Sequence, residues 1–410
     1  MDVNRIVLIG NGFDLAHGLK TSYADFINWY WEDWGRILLH GLNRTEDDGL
    51  CSFKIHDKIE VLNWASVFQG WYYKRENPLI PWETNDVVSL AKQDKKLCDF
   101  KMSPFFERIQ NSIETKGWVD IENEYYSLLM KYAIDDYSEK SIKDLNLQLQ
   151  FMQDKLIQYL SFINQVAVGV NDNILKKIYS PIDPKELSIE KLFQLREYID
   201  WCVKQDNSYW ENKMLRYGET FSSDYIDSYK MHYHENYYTG YPRPYMLPDH
   251  IMLLSFNYTR TAHLYHNQNF FLNYIHGELE NPQNIIFGYG DEIDKNYQEL
   301  KNLNDNDCLR NMKTIKYLET DNYRNALGFM DSAPFQVCIM GHSCGNSDRT
   351  LLNTMFEHKN CISIKPYYYK KEDGTDNYLE LVQNISRNFT DMKLMRDRVV
   401  NKTYCETLTD

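Results

Sequence analysis

The chain has 410 residues, an apolar fraction of 43% and a formal net charge of −14 at pH 7. This length allows two or three domains, or one large domain with insertions. The negative charge disfavours nonspecific binding to nucleic acids and to anionic membranes. The 8 cysteines form no Cys-x-x-Cys pair, which argues against a thiolate zinc site or a redox motif and suits a reducing compartment.

The sequence also predicts where the protein is found. It has no apolar stretch near the ~18 residues that a membrane span needs, and its first residues lack the pattern of a signal peptide. We therefore expect a cytoplasmic protein with no nucleic-acid or membrane partner. The sequence leaves open whether the protein forms a homo-oligomer.

The first predicted element is a buried strand over residues 4–9 that leads into a glycine turn. An apolar run ends at Gly10-Asn11-Gly12, and a helical pattern follows at once. Glycine lets the backbone approach a ligand closely, and the N–H groups and dipole at a helix start favour a phosphate. The turn therefore predicts a nucleotide-binding strand–turn–helix unit.

The middle of the chain, residues 40–245, is predicted to be mainly helical. Apolar residues at helical spacing predict a long amphipathic helix over residues 139–168 and another helix over residues 187–203. The three prolines of residues 237–250 predict an irregular connection. His232 and His234 have the spacing of metal ligands, but we interpret this segment, which includes Glu235, as irregular surface and expect no metal.

Strand patterns return after residue 250. Further helices are predicted over residues 293–330, 377–389 and 391–400. A single N-terminal strand cannot bury itself alone, so it would join the later strands in one parallel sheet with helices on both faces. This α/β core would comprise residues 1–30 and 249–410, with residues 31–248 as a large, mainly helical insertion; two independent domains are the alternative. The later strands are predicted over residues 251–256, 271–275, 285–287, 335–340 and 361–369.

Two polar motifs follow predicted strands, at the edge where parallel α/β sheets bind ligands. Asn257 could contact ribose hydroxyls or position a water, or it could cap a following helix. His276 could act as a general base near neutral pH, with Gly277 allowing a tight turn. A purely structural turn is the alternative interpretation of this histidine.

A third motif, Gly341-His342-Ser343-Cys344-Gly345, matches the nucleophile elbow of α/β-hydrolases. A serine hydrolase would need a later histidine, and His358 is too near in sequence to fold back onto the serine. Contact with a cofactor and a plain turn are the other interpretations.

The longest motif in the chain is GNGFDLAHGLKTSYADF, from Gly10 to Phe26. It resembles the opening of the AbiH family of phage abortive-infection proteins. The resemblance extends over residues 3–26, 118–122, 255–291 and 335–352. The glycine spacing G-x-G-x5-G, followed by the strand–Asn and strand–His-Gly motifs, is also similar to the sirtuin-like NAD-binding family.

These resemblances imply a sirtuin-like (Rossmann-like) fold and a phage-defence effector that binds and hydrolyses NAD at the nicotinamide–ribose bond, an NAD glycohydrolase. In sirtuin-like proteins the Asn and His contact the ribose on the nicotinamide side, which implies catalytic roles for Asn257 and His276. Asp14 stands where sirtuins carry Ser. Its carboxylate could cap the helix or contact a ribose hydroxyl. The implied cofactor contacts are Gly10, Asn11, Gly12, Phe13, Asp14, Gly18, Tyr23, Gly277, Gly341, His342 and Ser343.

Two other functions remain open from the sequence: a nucleotide-binding sensor without catalysis, and a serine hydrolase. The expected partners are NAD or a related nucleotide and a phage-derived trigger. A short family motif in the helical region contains Trp118, Asp120 and Glu122. Its carboxylates could approach the site, or the motif could be a solvated helix start with a buried tryptophan.

Overall fold

The computed structural model describes residues 3–60, 62–67, 84–235, 243–267 and 270–410. The chain forms two compact units. The first comprises Met1–Leu19, Asn164–Tyr297 and Met312–Asp410, and the second Lys20–Ile163 and Gln298–Asn311. These boundaries differ from those proposed at residues 30 and 248, and the division into domains stays a prediction.

Strands of the described residues form two sheets. The first unit has a five-stranded parallel sheet in the order β6-β5-β1-β7-β8, and the second unit has an antiparallel sheet in the order β2-β3-β4, with strand bounds β1 Asn4–Ile9, β2 Thr45–Asp47, β3 Cys51–Ile55, β4 Cys98–Met102, β5 Ile251–Ser255, β6 Phe271–Tyr274, β7 Phe335–Met340 and β8 Cys361–Tyr367.

Helices make up most of the remaining described structure. The α-helices are Asn11–Ala16, Tyr23–His40, Thr84–Gln93, Pro104–Lys116, Ile121–Met130, Glu139–Ile163, Asp172–Ile178, Ile189–Val203, Asn207–Leu215, Ser223–Glu235, Arg243–Met246, Lys295–Asn302, Asn306–Leu309, Lys313–Lys316, Asn322–Ser332, Arg349–Phe356, Tyr378–Arg387 and Met392–Arg398. A π-helix, Lys131–Asp135, follows the fifth of them, and the 3₁₀ turns are Pro184–Glu186, Thr261–Tyr265, Pro282–Asn284, Asn346–Asp348 and Lys402–Tyr404.

The parallel sheet confirms that the N-terminal strand joins the later strands. Ile9 at the end of β1 is paired with Ser255 of β5 on one side and Met340 of β7 on the other. Successive side chains of β1 pack into different cores, Ile6 into one and Val7 into the other. A strand buried on both faces has a continuous apolar run, which is why the sequence shows it clearly.

One predicted strand, residues 285–287, is wrong. The segment leaves the 3₁₀ turn Pro282–Asn284 as irregular backbone, and Ile286 N–H donates to His276 O at 2.9 Å. Ile285 and Phe287 are buried without joining the sheet. The apolar run therefore reflects burial of a loop, which side-chain polarity alone does not distinguish from burial of a strand.

Residues after Asn164 complete the first unit. The helices Ile189–Val203 and Asn207–Leu215 contribute to a third core, which also contains Val3 before β1. Near the amino end of β5, the carboxylate of Asp249 accepts from Val3 N–H at 3.0 Å and pairs with Lys213 Nζ at 3.0 Å. Of the predicted irregular connection, residues 243–246 form a short helix and residues 237–242 lie outside the described residues.

The described part of residues 40–245 is mainly helical, as predicted, and the antiparallel sheet of the second unit is an addition that the sequence did not predict. In β3 the side chains of Cys51, Phe53 and Ile55 are buried and alternate with more exposed ones. This two-residue period is the signature of a strand buried on one face, but it is only five residues long. Among the described helices, none is long and apolar enough to cross a membrane.

Glycines bring the ends of β1 and β7 together. Gly12 N–H donates to Gly341 O at 2.8 Å. A Cβ on Gly10 would lie 2.5 Å from His342 Cα, and a Cβ on Gly12 would lie 2.9 Å from Gly341 Cα. Gly341 has φ +77° and leaves no room for a side chain, since its Cβ would lie 2.1 Å from Phe13 N. The two loops are in direct backbone contact.

We predict that Gly341→Ala destabilises the protein by about 3 kcal/mol or more, because it combines a left-handed backbone with a clash against rigid backbone. The matched control is Gly328→Ala, on an exposed helix position with open space around its Cβ. That change should stabilise by about 0.5–1 kcal/mol. Urea unfolding of the two variants measures both effects, and equal stabilities would contradict the close packing of the loops.

Candidate functional site

Four polar motifs follow four adjacent strands of the parallel sheet. In the order of the sheet, His276-Gly277 follows β6, Asn257 follows β5, Gly10–Gly12 follows β1, and Gly341–Ser343 follows β7. The chain moves from β1 outward to β5 and β6, and then returns to β7 on the other side of β1. The carboxyl ends of β1 and β7 are therefore a topological switch point, where open α/β sheets bind ligands.

Asn257 is bonded to the glycine turn. Its Nδ2 donates to Gly10 O at 3.0 Å, and its own N–H donates to Ser255 Oγ at 3.2 Å. The alternative role as a helix cap does not fit, because the next helical segment, Thr261–Tyr265, has Arg260 at its N-cap. Asn257 joins the loop after β5 to the loop after β1.

The N–H groups of the glycine turn are used within the protein. Gly10 N–H donates to Met340 O at 3.3 Å, and Phe13 N–H donates to Gly10 O at 2.8 Å. Together with the bond from Gly12 to Gly341, these contacts engage groups that were expected to face a phosphate. In this structure the glycines serve the close approach of the two loops.

Asp14 is buried beside this turn. Its side chain is 1% exposed, and Oδ2 accepts from Thr259 Oγ1 at 2.5 Å. Burial raises the pKa of Asp14, while hydrogen bonds, the Thr259 bond first, lower it. The other oxygen, Oδ1, is buried without a hydrogen-bond partner. Asp14 does not cap its helix, whose N-cap is Gly10 with no side-chain bond.

The other predicted contact residues occupy different environments. Asn11 is exposed at the start of its helix, and Phe13 is fully buried in the core. Gly18 turns the chain with φ +78°. Ser343 is exposed, and its carbonyl accepts from Asn384 Nδ2 at 2.9 Å. Tyr23 belongs to the second unit, where it begins the helix Tyr23–His40.

His276 lies at the centre of a buried polar group. Its side chain is 5% exposed, and Nε2 lies 3.2 Å from both Asp348 Oδ1 and Tyr317 OH. Burial, together with the positive charge of Lys313, lowers the pKa of His276 to about 4, although the Asp348 carboxylate raises it. The imidazole is therefore neutral at pH 7. Gly277, with φ +81°, provides the tight turn that follows.

Asp348 connects the members of this group. Lys313 Nζ lies 2.7 Å from Asp348 Oδ1, and His342 Nε2 lies 3.4 Å from Oδ2. Burial alone would raise the pKa of Asp348, but the Lys313 ammonium and the two histidines hold it well below its usual range. We name these residues, Lys313, Asp348, His276 and His342, the buried ionic cluster.

The motifs at this edge of the sheet match those of a known protein family. A family model described as "Bacteriophage abortive infection AbiH" matches residues 6–369. The chain belongs to the AbiH family. Membership implies a function in abortive infection by bacteriophage, as the glycine-rich motif near the N-terminus predicted. Searches of curated proteins and of solved structures gave no match, and the sirtuin-like identity of the core stays a prediction.

Sequence reasoning missed two members of the buried ionic cluster of this AbiH chain, Lys313 and Asp348. Asp348 lies only three residues beyond the motif ending at Gly345, and an acidic residue so close to a candidate site was a usable signal. For Lys313 there was no such signal, because it lies in a polar helical stretch far from any motif. Burial of its ammonium, which is 1% exposed, is visible only in the fold.

Other candidate groups of the AbiH chain have ordinary structural roles. His232 lies on the helix Ser223–Glu235, which corrects the expectation of irregular backbone. Among the described residues no group of three ligands could hold a metal ion. Asp120 caps the helix Ile121–Met130 by accepting from Asn123 N–H at 3.0 Å, and Trp118 is exposed rather than buried.

We predict that a fluorophosphonate probe does not label Ser343. The neighbouring His342 is engaged, since its Nδ1 accepts from Cys344 N–H at 2.9 Å and its Nε2 faces Asp348. His358 Nε2 lies 3.4 Å from Asp331. Neither imidazole is placed to activate the hydroxyl. A serine esterase is the positive control, and labelling that disappears in Ser343→Ala would establish a serine hydrolase instead.

We predict that stability falls between pH 6.5 and pH 4 because of His276. In the unfolded chain this histidine takes up a proton with its ordinary pKa of 6.5, while in the folded chain it does so only near pH 4. Stability is therefore full above pH 6.5 and decreases by roughly 2 kcal/mol by pH 5.

The measurement is urea unfolding at pH 7 and pH 5 of wild type and His276→Gln. The variant should lose less stability than wild type over this interval, since glutamine does not titrate. His40→Gln, at an exposed helix position, is the control and should follow wild type. Parallel curves for His276→Gln and wild type would show that His276 does not contribute.

Proposed function

We propose that this AbiH chain is a phage-defence effector that binds NAD and hydrolyses its nicotinamide–ribose bond. The observation that carries the proposal is the hydrogen bond from Asn257 to Gly10, which joins the amide after β5 to the glycine turn after β1. His276 follows the next strand of the same sheet. The order strand–glycine turn, strand–Asn and strand–His-Gly is the one that the sirtuin-like resemblance associates with NAD.

The chemistry assigns a role to each polar group. Cleavage of the bond to nicotinamide develops positive charge on the ribose, as in glycoside hydrolysis. Because Asn257 Nδ2 is bonded to Gly10, its Oδ1 is the atom available to accept from a ribose hydroxyl. His276 is neutral at pH 7 and can accept a hydrogen bond or a proton from a ribose hydroxyl or the attacking water.

A second function, a nucleotide-binding sensor without catalysis, is favoured by one observation. The imidazole of His276 is almost completely buried, and its pKa of about 4 makes it a weak base at neutral pH. Efficient general bases titrate nearer the working pH. In both functions the cytoplasmic ligand is NAD or a related nucleotide, and a phage-derived trigger releases the activity.

The experiment measures free nicotinamide after incubation of the purified full-length chain with NAD, with and without an extract of phage-infected cells. We predict release by wild type and a loss of about 10²- to 10⁴-fold in His276→Gln and Asn257→Ala. His40→Gln is the matched control and should keep full activity.

Calorimetric titration with NAD separates the two functions. Binding by wild type without release of nicotinamide under either condition would establish the sensor. Absence of both binding and release would overturn the proposal for NAD altogether. Full activity in His276→Gln would show that His276 is a structural residue.

A further inference from the structure

The buried ionic cluster has the geometry of a carboxylate that orients two imidazoles. Asp348 receives one contact from an ammonium and one from each histidine, at 2.7, 3.2 and 3.4 Å. The four side chains are 10% exposed or less. Burying charged and polar groups of this kind costs free energy of desolvation. Groups with shifted pKa values are concentrated at functional sites.

The hydrogen-bond partners determine which nitrogen of each ring carries the proton. An ionised carboxylate has no proton to donate. An imidazole nitrogen 3.2 Å from it must therefore carry the proton that lies between them. For His276 that nitrogen is Nε2, and the Tyr317 hydroxyl, also 3.2 Å from Nε2, can accept the same proton. For His342 the result is the same, because Nδ1 accepts from Cys344 N–H and Nε2 then carries the proton towards Asp348.

We propose that Asp348 is a positioning residue of the site, which fixes His276 as the Nε2–H tautomer and leaves its Nδ1 as the acceptor for a substrate hydroxyl. This inference rests on the proposed hydrolysis of NAD. Among the described residues, none forms a hydrogen bond with His276 Nδ1. The substrate class is therefore a ligand that presents a hydroxyl donor, such as a ribose or a water held against it.

Lys313 keeps the Asp348 carboxylate ionised, so that it can accept the Nε2 protons of the two histidines. Its ammonium and the Asp348 carboxylate cancel in charge, and the ammonium lowers the pKa of His276, which keeps that imidazole neutral. Gly290 makes room for this pair: a Cβ there would lie 2.9 Å from Ser347 O and 3.2 Å from Lys313 Cβ. The glycine of the loop after β6 thus allows the lysine to approach Asp348.

Aromatic rings hold the two imidazoles in place. The ring of Phe256 packs edge-on against both, with centroid distances of 5.1 Å to His276 and 4.3 Å to His342. Tyr317 stacks against His276 at 6.1 Å with an interplanar angle of 12°. Rotation of either ring would break its ring contacts as well as its contact with Asp348, so the tautomer and the orientation are set together.

The first test is spectroscopic and needs no catalytic activity. Nitrogen NMR of the full-length chain labelled with ¹⁵N-histidine distinguishes the two neutral tautomers from the cation, and His276→Gln and His342→Gln assign the signals. We expect His276 to be neutral at pH 7 with its proton on Nε2, and Nδ1 of His342 to be unprotonated. A proton on Nδ1 of His276, or a cationic ring, would overturn the inference whatever the protein does with NAD.

The second test compares two buried aspartates of the same unit. Asp348→Asn should shift the His276 ring signals and lower kcat for release of nicotinamide by about 10²- to 10⁴-fold, with KM little changed. Asp249→Asn is the matched control, because it breaks an equally buried pair with Lys213 near the amino end of β5. It should change neither the ring signals nor kcat.

The double variant separates positioning from an independent contribution. If Asp348 acts through His276, then His276→Gln combined with Asp348→Asn should be no slower than His276→Gln alone. Additive losses, or unchanged ring signals in Asp348→Asn, would overturn the inference. If Asp348→Asn does not fold, the wild-type spectrum still decides whether His276 carries its proton on Nε2. If wild type releases no nicotinamide, the proposed function fails while the tautomer of His276 is still measured.

Discussion

Direct contact between two glycine loops determines the arrangement of the whole sheet edge. The bond from Gly12 N–H to Gly341 O holds the carboxyl ends of β1 and β7 together, with no side chain between them. Asn257 extends this link to β5, and the loop after β6 follows beside it. Because each connection is made to backbone, the positions of the polar side chains depend on main-chain geometry, which tolerates few substitutions.

A buried charge pair at this edge needs a reason other than stability. Replacing such a pair by apolar residues of similar volume is often neutral or stabilising. The Lys313–Asp348 pair by itself therefore adds little to the stability of the fold. It does, however, fix the orientation of side chains around it, since each carboxylate oxygen has a defined partner. The core beneath, formed by strands buried on both faces, supplies the rigid support that this orientation requires.

The sequence predicted the parts of the fold that repeat a simple pattern. Continuous apolar runs identified β1, β5, β7 and β8 within one or two residues, and the glycine-rich motifs lie at the carboxyl ends of the strands, as predicted. The short β3 was not predicted, and the buried loop at residues 285–287 was wrongly predicted as a strand, because five alternating residues or three apolar ones fit several structures. The buried contacts of Lys313 could not be inferred from the sequence at all, since they depend on how distant segments meet.

The order of the strands also governs when this edge can form during synthesis. β1 is made first, but its neighbours β5 and β7 begin only at Ile251 and Phe335. At translation rates of about 5–20 residues per second, the first strand waits tens of seconds for its partners. Pairings so distant in sequence also close slowly once both strands exist. An unfinished chain therefore carries no assembled edge, so a ribosome that stalls before Phe335 releases a product that lacks the joined loops.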